Sequence, residues 1–224
     1  MKKIIALILV SILCLSLLCS CGKSEGNEET YGKPYTAGIN IDTTGHTLHQ
    51  VEITIKNYGI IQLTLDETLA PITVQNFLKL ANEGFYDGLT LHRIIDGFMI
   101  QGGDPKGNGT GGSKDTIKGE FAYNGVKNDL SHVRGVISMA RQSENPYYGI
   151  TAEMAYNSAS SQFFIMHKDV ADLNGQYAAF GWVTGGIEFV DQICADTPVE
   201  DRNGTVLAKN QPVIVSVRVV SAEF

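Results

Sequence analysis

Arg93 carries the most conspicuous chemistry in this sequence. Its always-charged fork of donors sits in the run Leu91-His92-Arg93-Ile94-Ile95. Gln101 and Gln162 likewise fall on otherwise apolar segments, Phe98-Met99-Ile100-Gln101 and Gln162-Phe163-Phe164-Ile165. Unpaired buried polar groups are costly, so the three read as the polar edge of a groove rather than as core. Phe98, Met99, Phe164, Leu173 and Tyr177 come from separate strands and loops. Set together, they make a greasy hollow with one strong donor at its rim, and a proline ring fits such a hollow. The chemistry open to this set is a charge-assisted hydrogen bond onto a bound chain, which calls for no nucleophile, metal or cofactor.

Other residue groups offer less. His46-x-x-His49 could ligate a metal, but no carboxylate or cysteine sits at helpful spacing, so a solvated pair is expected and no metal is assigned. Gly107 to Gly112 lacks the Gly-Lys-Ser/Thr ending of a phosphate loop and reads as a turn shaping the groove rim. His92 could be a general base; a satisfied structural histidine fits better, because nothing here transfers a proton. Cys194 lies at i+7 from Ile187 in Ile187-Glu-Phe-Val190-Asp-Gln-Ile-Cys194, a core position of a helix.

These residues need a scaffold of short strands. With 43% hydrophobic and 18% charged residues, most of the 224-residue chain should fold around a substantial core. Its 24 glycines favour tight turns over long helices. Lys plus Arg number 17 against 24 Asp plus Glu, a formal charge of -7, so there is no broad basic surface and nucleic acid is not an expected ligand. Val51, Ile53 and Ile55 alternate with polar residues, Asn57-Tyr58-Gly59 turns the chain, and Ile61, Leu63 and Leu65 alternate again: a hairpin. Pro71 opens a helix with Val74, Phe77, Leu78 and Ala81 on one face, and Gly84 ends it. Short β runs follow at 89–95, 98–101, 136–140, 163–167 and 178–183, and the last, 213–220, alternates valines. The expectation is a mainly β fold: a closed eight-stranded antiparallel barrel capped by two α-helices.

The front of the chain reads as an address. Lys2 and Lys3 precede the apolar stretch Ile4 to Leu18, which is short for a spanning helix and has the layout of a secretion signal. Leu18-Cys19-Ser20-Cys21 resembles a bacterial lipobox, with cleavage before Cys21 and a lipid on its sulfur. Residues 1–20 are then a signal peptide, 21–46 a lipidated cysteine and flexible tether rich in Gly, Ser, Asn and Thr, and 47–224 the folded domain. Cys14 and Cys19 leave with the signal and Cys21 is modified, so Cys194 is the only free thiol and no intrachain disulfide forms. The expected location is outside the cytoplasm, lipid-anchored to a bacterial cell membrane.

The block Leu91-His92-Arg93-Ile94-Ile95-Asp96-Gly97-Phe98-Met99-Ile100-Gln101-Gly102-Gly103-Asp104 is joined in order by Asn108-Gly109-Thr110-Gly111-Gly112, Ser138-Met139-Ala140, Ser161-Gln162-Phe163-Phe164-Ile165, Leu173-Asn174-Gly175 and Phe180-Gly181. Together these resemble the cyclophilin family of peptidyl-prolyl cis-trans isomerases, from about Val51 to the C-terminus. The resemblance implies an isomerase of Xaa-Pro bonds, assisting the folding of exported proteins. Arg93, Phe98, Gln101, Phe164 and Tyr177 would be its catalytic set, and Met99, Gly109, Ala140, Arg141, Gln162 and Leu173 would bind substrate. Ala140 and Arg141 would do so through main-chain groups that take the substrate as an added extended strand. The implied partners are proline-containing polypeptides, and the implied state is a monomer. A proline-peptide-binding chaperone or surface adhesin on the same fold is the alternative.

Three positions depart from the family pattern. Tyr177 replaces a common His, keeping a ring wall with a polar tip. Asp172 stands where many members carry a Trp that contributes to binding cyclosporin, so sensitivity to that drug does not carry over with the resemblance. Between Arg141 and Gln162 the chain is longer than usual, and this loop is expected beside the groove, narrowing access or adding contacts to residues before the proline. Asn108-Gly-Thr and Asn203-Gly-Thr match glycosylation sequons, which mean little in a bacterial lipoprotein.

Overall fold

The structure, a computed structural model, describes residues 30–220. The proposed signal peptide and Cys21 lie outside the described residues. The chain opens with a hairpin of β1 (Leu48–Ile55) and β2 (Gly59–Asp66), paired Ile53 to Ile61 and Val51 to Leu63. Asn57 takes a left-handed φ of 69°, the one non-glycine to do so among the described residues, and so closes the turn. The strands β3 (Leu91–Ile95), β4 (Met99–Gly102), β5 (Val136–Met139), β6 (Phe163–Met166), β7 (Ala179–Gly185) and β8 (Ile214–Val220) complete one antiparallel sheet, ordered β3-β4-β6-β5-β7-β2-β1-β8.

The sheet curls into a half-barrel whose two edge strands are β3 and β8. Its edge strands β3 and β8 approach through a single bridge, Thr90 to Val213, with flanking hydrogen bonds such as Leu91 N–H to Pro212 C=O at 2.9 Å. Further along β3 another segment takes the free edge. Ile94 N–H donates to Gly204 C=O at 2.8 Å, and Val206 N–H donates to His92 C=O at 3.1 Å. The main-chain groups along the β3 edge are thus satisfied by two different segments, 212–214 at its start and 204–206 further along.

Two apolar layers form because side chains alternate across the strands. Phe163 and Ile165 point into the curl with Val51, Ile53, Leu63, Leu65, Ile137 and Phe180. Phe164 and Met166 point out, with Met99, Val136, Ala179 and Trp182. Helix α1 (Pro71–Asn82) closes one mouth of the curl with Thr73, Val74, Phe77, Leu80 and Ala81. The Phe77 ring lies 5.0, 5.4 and 5.6 Å from those of Tyr86, Phe180 and Phe163. Its first turn has no acid of its own. Buried Glu120 fills that role, its carboxylate accepting from Ile72 N–H at 3.1 Å and from the Thr73 N–H and hydroxyl at 2.8 and 2.7 Å. Helix α3 (Ile187–Asp196) packs Ile187, Phe189, Val190, Ile193 and Cys194 inward. Burial pushes the Cys194 thiol up to about 12. A third, short helix, α2 (Ala152–Tyr156), lies in the long loop after Arg141 and was not expected.

The expected flexible tether is, from Thr30 onward, a strap laid on the domain. Thr30 C=O accepts from Ile60 N–H at 2.9 Å, Tyr35 N–H donates to Thr184 C=O at 2.7 Å, and Tyr35 Oη donates to Arg134 C=O at 3.2 Å. Ala37 is buried, and the Asn40 amide bridges Asp129 C=O and Ser131 N–H. Such main-chain bonding leaves no hydrophobic period, which is why composition alone suggested a linker. The His46/His49 pair is likewise not merely solvated. His46 Nδ1 lies 2.6 Å from buried Asp66 Oδ2, and His49 Nε2 lies 2.6 Å from Glu67 Oε2. Both carboxylates are at the end of β2, a pairing set by the hairpin register. Among the described residues no cluster of three or more His, Cys, Asp or Glu could hold a metal, and no helix is long and apolar enough to cross a membrane.

Candidate active site

Strand register builds the site. Arg93 pairs with Gln101, and Gln101 with Phe164, so the three form one row across β3, β4 and β6 on the outer face of the sheet. Met99, two residues before Gln101, shares that face. Around the row lies a cavity of about 710 Å³ lined by Arg93, Phe98, Met99, Gln101, Gly109, Ala140, Arg141, Phe164, Leu173 and Tyr177. Every site residue expected from the sequence is there except Gln162. That side chain lines a neighbouring cavity of about 490 Å³, which shares Gln101, Gly109, Ala140 and Arg141 with the first.

The Arg93 guanidinium is held at the rim of the apolar hollow. Nε donates to Asn203 C=O at 2.8 Å, and Nη1 donates to Gln101 Oε1 at 3.3 Å and lies 4.0 Å from Met99 Sδ. Its carbon stands 5.9 Å from the Phe98 ring centre. Burial pulls the Arg93 pKa below the usual value while Tyr177 and Asp201 pull it back, and an arginine remains a cation here. Gln101 Nε2 then donates to Gln162 Oε1 at 2.9 Å, and Gln162 Nε2 donates to Gly111 C=O at 2.7 Å and Gly109 C=O at 3.2 Å. The polar edge is therefore one directional chain, which explains two glutamines on apolar strands.

The glycine-rich rim is shaped by Asp104, as a turn should be. Its carboxylate accepts from the N–H groups of Lys106, Asn108 and Gly109 at 2.8, 3.1 and 2.6 Å. Burial raises the Asp104 pKa, but the main-chain donors outweigh it and hold it below the ordinary carboxylate value. Asn108 is a turn former too, accepting from Thr110 N–H and hydroxyl.

On the opposite wall the Phe164 and Tyr177 rings meet edge to face at 5.6 Å. Buried His132 stacks behind Phe164 at 6.1 Å, its ring nitrogens 3.1 Å from Asn174 Oδ1 and Ser138 Oγ. Burial takes its pKa down to about 4. Ala140 N–H is committed to Gln162 C=O at 2.9 Å, whereas Arg141 N–H and C=O are unpaired among the described residues.

His92 corrects an expectation. It is 5% exposed and lines the cavity under Gly109, yet neither ring nitrogen has a partner among the described residues. Burial lowers its pKa and holds it neutral. Sequence reasoning also missed the 203–211 segment, which supplies Asn203, Thr205, Val206, Leu207, Ala208 and Gln211 to the cavity. The available signal was Asp201-Arg-Asn-Gly204-Thr205. Asp201 accepts from Asn203 N–H at 2.9 Å and from Thr205 N–H and hydroxyl at 3.2 and 3.0 Å, a tight turn that aims the Asn203 carbonyl at Arg93.

A curled eight-stranded sheet with an arginine at the rim of an outer-face apolar hollow defines a cyclophilin. The family model for cyclophilin type peptidyl-prolyl cis-trans isomerases matches residues 50–223, and the chain belongs to that family. It is 46% identical over 129 residues to peptidyl-prolyl cis-trans isomerase B of Bacillus subtilis, covering 58% of this chain and 79% of that one. It is 43% identical over 143 residues to a peptidyl-prolyl cis-trans isomerase of Helicobacter pylori, covering 62% and 78%. A solved cyclophilin type isomerase from Cryptosporidium parvum superimposes with a TM-score of 0.65 at 30% identity, covering 78% of this chain and 99% of the other. A second structure of that protein, determined in the presence of the dipeptide Ala-Pro, gives 0.63. The protein is a peptidyl-prolyl cis-trans isomerase.

Proposed function

We propose that this isomerase works on exported proteins from a lipid anchor at Cys21, with Arg93 as its catalytic residue. The bond before proline resists rotation, by about 18–20 kcal/mol, because the nitrogen lone pair is delocalised into the carbonyl. In the twisted state that conjugation is broken and the lone pair returns to nitrogen. A donor that reaches the nitrogen only then lowers the barrier without tightening the ground state. The observation that carries this reading is the Arg93 fork, fixed through Nε by Asn203 and through Nη1 by Gln101 at the rim of the hollow, with no partner recorded for Nη2 among the described residues. Phe98, Met99, Phe164, Leu173 and Tyr177 would seat the proline ring, and the Ala-Pro dipeptide used with the Cryptosporidium protein supports that choice of ligand. Gln101, whose amide keeps one N–H uncommitted, would meet a peptide carbonyl while Gln162 Oε1 holds it in place, and the open Arg141 main chain would pair with an extended substrate. Isomerisation of this kind moves no proton and forms no covalent intermediate.

The charged and apolar stretch ending in Leu18-Cys19-Ser20-Cys21 supports export and lipidation. Eight residues separate Cys21 from Thr30, nine steps of chain with a reach of at most ~30 Å, so a lipid on Cys21 would keep the domain against the membrane. The strap joins β7 at its Gly185 end, whereas Tyr177 precedes its Ala179 end, and seven strand residues span about 23 Å. The groove would then open away from the membrane, toward clients. A protease-coupled assay of the full chain on an Ala-Pro peptide, with the Arg93→Ala variant beside it, tests the reaction. Equal rates would refute the role given to Arg93.

A further inference from the structure

Arg141 was expected to act through its main chain, yet its side chain is the most elaborately held cation in the site. Nε donates to Gln176 C=O at 3.0 Å, and Nη1 donates to Gln142 C=O at 2.9 Å. Its guanidinium carbon lies 4.6 Å from the Tyr177 ring centre, 5.0 Å from Tyr156 and 5.5 Å from Phe121. No carboxylate pairs with it among the described residues, so ring faces and carbonyl oxygens carry the compensation for its charge. The three rings come from three stretches of chain. Tyr177 is a wall of the proline hollow, and Tyr156 ends helix α2 in the long 142–161 loop. Phe121 is buried and meets Tyr156 edge to face at 5.3 Å.

We propose that Arg141 is a positioning residue: its guanidinium clamps the Tyr177 wall and ties the 142–161 loop to the hollow, so that it sets how tightly a proline peptide is held. Two contacts fix Tyr177 at once, the hydrogen bond to the carbonyl just before it and the stack on its face. Without them the ring keeps only edge contacts, with Phe164 at 5.6 Å and His132 at 6.4 Å. A lysine cannot replace the clamp, since a point charge on a flexible stem cannot lie flat between rings while donating in two directions. Tyr156 gives the loop a path of influence without touching the hollow itself, since it lines neither cavity. Arg93 supplies the twisted-state contact, and Arg141 therefore acts on affinity rather than on rotation.

The inference rests on the isomerase reading, so the experiment separates the two. Full-length wild type, Arg141→Ala, Arg141→Lys, Tyr156→Leu and Tyr156→Phe are assayed on one Ala-Pro peptide, with kcat and KM resolved and peptide Kd measured by calorimetry. Arg141→Ala and Arg141→Lys should each raise KM and Kd about 3- to 30-fold, the worth of a partly desolvated stack, with a much smaller change in kcat. Tyr156→Leu should move KM the same way by less, and Tyr156→Phe, which keeps the ring face, should match wild type. Unchanged KM and Kd in Arg141→Ala, full rescue by lysine, or a fall in kcat at constant KM would overturn the clamp. If Arg141→Ala fails to fold, the Tyr156 pair decides alone: equal KM in Leu and Phe variants is the overturning result. Wild-type binding without turnover would refute the isomerase reading and leave the clamp to be judged by Kd.

Discussion

Arg93 Nε donates a 2.8 Å hydrogen bond to the main-chain carbonyl of Asn203, a residue 110 positions later in the chain. The guanidinium at the rim is thus aimed by a turn far away in sequence, whose 204–206 segment hydrogen-bonds along the edge of β3 itself. Strand β3 gives Arg93 its face, and the turn gives it its direction.

Arg93→Ala should lower kcat/KM on an Ala-Pro peptide by about ten- to 150-fold, the rate equivalent of one charge-assisted hydrogen bond worth roughly 1.5–3 kcal/mol. Arg93→Lys should recover little, because a lysine cannot satisfy Asn203 and Gln101 and still present a further donor. Circular dichroism should be unchanged in both.

The turn itself can be broken from a distance. Gly204 has a φ of 77°, and a Cβ there would fall 2.3 Å from the Ile94 carbonyl oxygen. Gly204→Ala should cost roughly 1–3 kcal/mol of stability through backbone strain. It should also lower kcat, because the Asn203 carbonyl moves. Wild-type kcat together with a lowered thermal midpoint would show that this turn does not position Arg93.

Helix α1 depends on an acid that is not its own. Glu120→Ala should destabilise the fold by roughly 1–3 kcal/mol, the cost of stranding buried donors, with kcat/KM for the folded fraction unchanged. Urea unfolding followed by Trp182 fluorescence measures it, and an unchanged midpoint would contradict the capping role.

The pH dependence of stability has a named source. Burial lowers the His132 pKa from 6.5 to about 4, so the fold excludes a proton that the unfolded chain accepts. Its contribution is complete above pH 6.5 and is lost as pH falls toward 4, on the order of 3 kcal/mol across that window. His132→Gln, which cannot titrate, should show a flatter stability profile between pH 6.5 and 4 than wild type. Parallel profiles would contradict the assignment.

Lipidation has a direct test. Cells fed a labelled fatty acid should label the wild-type chain and not Cys21→Ser, and the variant should leave the membrane fraction. Labelling of the variant would place the lipid elsewhere.

Features carried by short-range pattern were legible in the sequence. The alternating valines, isoleucines and leucines of β1 and β2, the Pro71 start of α1 and the Ile187-to-Cys194 spacing of α3 are local signals, and each element forms where they fall. Ten of the eleven expected groove residues line the main cavity, because their motifs sit on strands whose register aligns them. What escaped depends on partners far apart in the chain. Glu120 caps a helix from 47 positions away, Asn203 aims Arg93, and the 30–46 strap is held by main-chain bonds that no side-chain period reveals. The 204–206 segment escaped for a related reason: nothing local in β3 says that these residues will bond along its edge.

Cys194 is the only cysteine among the described residues, and it sits in the core with its thiol pushed to about 12. Among the described residues no disulfide has to form, and no reactive thiol lies at the groove through which thiol oxidation or reduction could switch it on or off.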